Sequence, residues 1–157
     1  MSVDVQKAIR DYLPNVIHLS LATSKDGQPW VCELHYAFDD DLNLYFRSLS
    51  SRRHSQEIAL NPKVAGNIVR QHQPGEYPLG VYFEGVAEQL HDVDVEHPAY
   101  RALHKRFNVG QKVLDEAARE GGHQFYKISV TTWYVFGKLA GEEGKKYELA
   151  WDGSKRK

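Results

Sequence analysis

The sequence predicts a mainly β protein: six to seven antiparallel strands closed into a barrel, with short helices at the periphery. Three observations predict it. Apolar and polar residues alternate with period two over several segments of strand length. The links between these segments are short and rich in Asp, Gly and Pro, as hairpin and turn connections are. The helical stretches are too few and too late in the chain for a parallel α/β sheet.

Each element has its own warrant. Val5, Ile9, Tyr12 and Leu13 share one face of a helix over residues 3–13, which Pro14 stops. From Val16 to Ser24 the chain alternates, with Ile17, Leu19 and Leu21 on one side and His18, Ser20 and Ala22 on the other. The turn 25–29 carries Asp26-Gly27, the residue pair of a tight hairpin. Trp30 to Phe38 alternates again, with Glu33 and His35 opposite Cys32, Leu34 and Tyr36. Asp39-Asp40-Asp41 is a turn, and a third strand runs over 42–48, so the first half reads as an antiparallel meander.

A helix then ends at Asn61-Pro62, and a fourth strand covers 63–71. His72 to Gly80, with two prolines and two glycines, is a loop. The fifth strand, Val81–Leu90, has Gly85 in its interior, the mark of a bulge or a close backbone approach. Helices follow over 97–107 and 111–120. A long strand, 124–136, puts Tyr126, Ile128, Val130 and Thr132 on one face. Residues 1–140 make one domain; 141–157 is a polar segment with a short edge strand near Tyr147–Trp151 and a disordered basic tail.

Composition narrows the function. At 157 residues the chain is long enough for one real core, and its formal net charge of −1 argues against a nucleic-acid binder. No apolar run reaches bilayer length, so no membrane partner is expected. The single Cys32 and the amphipathic start of the chain point to a reducing, cytoplasmic setting. The eight histidines are scattered without ligand spacing, so no metal site is expected. The phosphate-loop patterns GxGxxG and GxxxxGK[ST] and the nucleophile elbow GxSxG are absent.

One segment stands out. Arg47 to Ser55, RSLSSRRHS, holds four serines, three arginines and a histidine, and Arg52-Arg53 fall where the helix begins. Cations at a helix N-terminus oppose its dipole. Two readings are open: an anion gathered by hydroxyls, backbone N–H groups and guanidinium forks, or a capped surface helix with Arg53 paired to Glu57.

The order of motifs resembles the pyridoxamine 5′-phosphate oxidase-like, FMN-binding split-barrel superfamily, most closely its small, uncharacterised bacterial members. The residues that carry the resemblance are Ala22-Thr23, Gly27-Gln28-Pro29, the Ser-Arg-Arg corner 51–53, Asn61-Pro62, and Phe83-Glu84-Gly85-Val86-Ala87. It covers residues 16–90 well and the second half more loosely. It implies a Greek-key split barrel, a homodimer, and FMN at the subunit interface, with haem or a deazaflavin replacing FMN in some relatives. Carried over, Ser51, Arg52 and Arg53 (where lysine is usual) grip the phosphate, and Ser48 reaches it. Glu33, Leu34 and His35 edge the flavin ring, and Trp133 and Tyr134 from the partner complete the site. His35 is the candidate catalytic group. The oxidase's C-terminal Arg-Leu-His-Asp-Arg motif is absent, and Cys32 or Glu33 stands where its second strand has arginine. The resemblance therefore implies a flavin-dependent oxidoreductase acting on a small substrate other than pyridoxamine phosphate, or a non-catalytic flavin- or haem-binding protein.

Overall fold

The computed structural model describes residues 4–139 and 144–153. Helix α1, Val5–Tyr12, is capped by Asp4, whose carboxylate accepts the Lys7 N–H at 2.9 Å. It buries Ile9 and Tyr12, and Pro14 directs the chain through one 3-10 turn into β1, His18–Lys25. In β1 the core takes Leu19, Leu21 and Thr23; Ile17, grouped with them by alternation, lies just before the strand and is half exposed. β1 and β2 (Gln28–His35) form a hairpin in which Lys25 pairs with Gln28, and Asp26 and Gly27 adopt positive φ of 51° and 78°. This is the two-residue turn that the Asp-Gly pair predicts.

The meander ends there. Trp30–Phe38 is not one strand: the chain breaks at Tyr36, and Ala37–Phe38 forms a separate short β3. Tyr36 is fully buried and its hydroxyl donates to the Leu13 carbonyl at 3.0 Å, which pins the break. β4, Leu44–Leu49, pairs with β3 and with the late strand β7, not with β2. Its burial shows why. Leu44, Tyr45 and Phe46 are all enclosed, so both faces of β4 are covered. The inner face joins the barrel core, while Tyr45 joins Phe125, Ala99, Leu103 and Val113 in a second cluster. The helices α3, Pro98–Phe107, and α4, Lys112–Ala118, supply that outer layer.

Strands β5 (Lys63–Ile68), β6 (Gly80–Leu90) and β7 (His123–Phe136) complete a curled sheet ordered β2-β1-β5-β6-β7-β4-β3. β2 and β3 lie at its two ends, so the barrel is split between them. Glu84 pairs with Thr132 but Gly85 pairs with Val130, leaving Thr131 as the extra residue of a bulge. Any Cβ at Gly85 would lie 2.6 Å from the Ser129 carbonyl oxygen, so this glycine serves both a bulge and a close approach. The bulge also reverses the faces of β7. Before it Tyr126, Ile128 and Val130 are buried; after it Trp133 and Val135 are, and Thr132 is not. Strict alternation across the whole strand misses this reversal.

β8, Lys146–Ala150, pairs with the far half of β7. The following Trp151 is buried in the main core, and its indole N–H donates to the Asp41 carbonyl at 2.8 Å. The described part of the C-terminal segment therefore packs on the barrel; the tail 154–157 lies outside the described residues. Among the described residues no helix is long and apolar enough to cross a membrane.

Candidate functional site

Helix α2, Arg53–Leu60, follows β4 through the turn at Ser50 and Ser51. Arg52 occupies the cap position in extended conformation, and no side chain among the described residues caps the helix. The first N–H groups of α2 thus lack a side-chain acceptor where the helix dipole is positive. Asn61 holds the other end, donating from Nδ2 to the Ser24 carbonyl at 3.2 Å.

The three arginines of the segment have separate fates. Arg47, half-buried on β4, forms an ion pair with Glu116 of α4 and lies over the Phe125 ring; it is structural. Arg52 is exposed, and no hydrogen bond or ion pair engages its side chain among the described residues. Arg53 is held twice. Its Nε donates to Glu57 Oε2 at 2.7 Å, and its guanidinium lies 4.2 Å from the centre of the Trp30 ring on β2. The terminal nitrogens of Arg53 have no partner among the described residues. Glu57 is itself only 4% exposed, and its Oε1 accepts the Thr23 hydroxyl at 2.9 Å. The Arg53 hydrogen bond, aided by Thr23, holds the Glu57 carboxyl below the usual carboxylate range. Of the two readings, the Arg53–Glu57 pair is present, and it leaves the guanidinium's terminal nitrogens open.

Ser48, expected at the phosphate, is 6% exposed, and its hydroxyl is hydrogen-bonded to His54 Nε2 at 2.8 Å. It locks the end of β4 to the first turn of α2 and does not line the surface. His54 is buried against the edge of Phe46, and burial first, then the Arg52 charge, lowers its pKa from 6.5, with Glu57 opposing. The folded protein therefore favours neutral His54. Stability from this group is complete above pH 6.5 and is lost as pH falls from there toward the lower folded value. Thermal unfolding is expected to show a lower midpoint at pH 5.5 than at pH 7, with the slope reduced in His54→Gln. A pH-independent wild-type midpoint over this range would refute a neutral, buried His54.

Glu33, Leu34 and His35 lie on β2 opposite Ser20, Leu19 and His18. Glu33 and His35 are exposed, Leu34 is half-buried, and the His35 ring stacks on Phe107 of α3 with centroids 5.8 Å apart. The Arg53–Trp30 contact places the α2 corner beside the start of this strand, whereas His35, five residues further along it, lies against Phe107 of α3. Trp133 does not join them: it is fully enclosed in the core, edge-on to Phe83. It is a structural residue, turned inward by the bulge. Tyr134 faces outward and donates to Glu84 Oε1 at 2.8 Å. Nothing local in the sequence links Thr23, Trp30 and Glu57; the i,i+4 spacing of Arg53 and Glu57 is the one local signal. No cluster of three or more metal-ligating side chains occurs among the described residues.

A family model described as pyridoxamine 5′-phosphate oxidase matches residues 5–137. No curated protein matches the chain. Among solved structures, a FAD-binding protein from Mesorhizobium loti is 27% identical, with a TM-score of 0.62 over 82% of this chain and 89% of that one. A haem-binding protein from Mycobacterium smegmatis is 17% identical, with a TM-score of 0.71; the alignment covers 91% of this chain but only 56% of that one. A haem-storage protein from Vibrio cholerae is 12% identical, with a TM-score of 0.60 and 96% of each chain covered. The last two likenesses are of fold. With the family match spanning most of the sequence and the split sheet built as that family requires, the chain belongs to the pyridoxamine 5′-phosphate oxidase-like split-barrel family.

Proposed function

We propose that this protein is a cytoplasmic, homodimeric FMN-binding oxidoreductase that passes hydride or electrons to a small substrate. The observation that carries the proposal is the α2 corner. Among the described residues, Arg53 is anchored with its terminal fork unpartnered, Arg52 stands beside it, and no side chain caps the helix N-terminus. A phosphate monoester meets all three donors in their preferred chemistry. Ser51, exposed in the turn, adds a hydroxyl. The β2 segment 33–35 would edge the ring, and the exposed His35 would hold or deliver a proton there. The flavin, when bound, supplies the redox chemistry; the protein holds its phosphate and sets its surroundings. The FAD-binding relative favours a flavin.

A second copy would cover the outer face of the sheet, where Ser20, Ala22, Val31, Asn67 and Tyr82 line one shallow depression and Val31 is 61% exposed. The absence of the oxidase's substrate arginines favours a substrate other than pyridoxamine phosphate. The test is the absorption spectrum of the purified protein, then mass analysis of the released chromophore. Paired near-UV and blue bands with FMN released are expected. A Soret band would assign haem instead, and a colourless protein that takes up no added FMN would overturn the proposal.

A further inference from the structure

We propose that Glu57, held by Thr23, and Trp30 are positioning residues that aim Arg53 at the ligand's phosphate. This rests on the phosphate reading above. An exposed i,i+4 ion pair needs no explanation, but Glu57 is almost wholly buried, and burying a carboxylate is costly unless both oxygens are satisfied. Here they are: Thr23, itself 2% exposed, fills one oxygen and Arg53 Nε the other. The carboxylate is thereby fixed to β1 in the barrel wall. Trp30 closes one face of the guanidinium from β2. A long side chain that loses its freedom on binding weakens the complex. Arg53 loses that freedom beforehand, and only its two terminal nitrogens remain to meet two phosphate oxygens. Lysine, usual at this place in the resemblance, carries a single nitrogen and cannot bond Glu57 through one group while presenting a fork with others. The arginine and its two supports form one device.

Flavin-free protein is titrated with FMN and with riboflavin, which lacks the phosphate, following flavin fluorescence. Wild type is expected to bind FMN more tightly; equal affinities would overturn the phosphate reading and this inference with it. Given that preference, Glu57→Ala and Trp30→Ala are each expected to weaken FMN binding about three- to tenfold and leave riboflavin binding unchanged. Damage to the fold would weaken both ligands together. Unchanged FMN affinity, or a parallel loss of both ligands, overturns the positioning role while the phosphate site stands. If Glu57→Ala does not fold, the partly exposed Trp30→Ala decides alone.

Discussion

The double substitution Arg52→Ala with Arg53→Ala is expected to cut FMN affinity by at least about a hundredfold, since each charge-assisted contact contributes about 1.5–3 kcal/mol. Riboflavin affinity should change little, because in the proposed site the ring would sit on other groups. The variant should still unfold cooperatively, at a lower temperature. The reason is Glu57. With Arg53 gone, this enclosed carboxylate keeps only the Thr23 hydroxyl, and the largest cause of its lowered pKa disappears. Fluorescence titration and thermal unfolding on the same sample separate the two effects. FMN binding as tight as in wild type would remove the corner from the site.

The second large effect is on stability. Trp133→Ala is expected to cost about 3–5 kcal/mol, the range for an enclosed aromatic removed from a packed core. Urea unfolding measures it, with the midpoint moving down and the slope retained. FMN affinity, measured well below the unfolding transition, should stay at the wild-type value. A loss under about 1 kcal/mol together with weakened FMN binding would return Trp133 to the ligand wall. The contrast turns on one residue, Thr131. Without the bulge there, Trp133 would point away from Tyr126, Ile128 and Val130; with it, all of them share the core.

Local chemistry explains what was legible. The β1–β2 hairpin follows from Asp26-Gly27, whose backbone angles few other pairs accept. The end of α1 follows from Pro14, and the irregularity of β6 from Gly85. These signals lie within one or two residues of their effect. The α2 corner was legible in the same way, through the crowding of serines and arginines between Arg47 and Ser55.

What escaped depends on partners distant in sequence. Alternation says which residues share a face, but not which strand lies alongside, so β4 beside β7 was hidden. The outward or inward fate of Ser48 depends on His54, and that of Arg53 on Trp30, 23 positions earlier. A mainly antiparallel barrel, its main turns, and an arginine corner at a helix start are legible from the residues alone, because propensity, periodicity and turn chemistry are local. That Arg47 is structural and Trp133 is core follows from the folded arrangement. So does the union of Thr23, Trp30, Arg53 and Glu57 in one unit, because burial and pairing are set by which surfaces the curled sheet brings into contact.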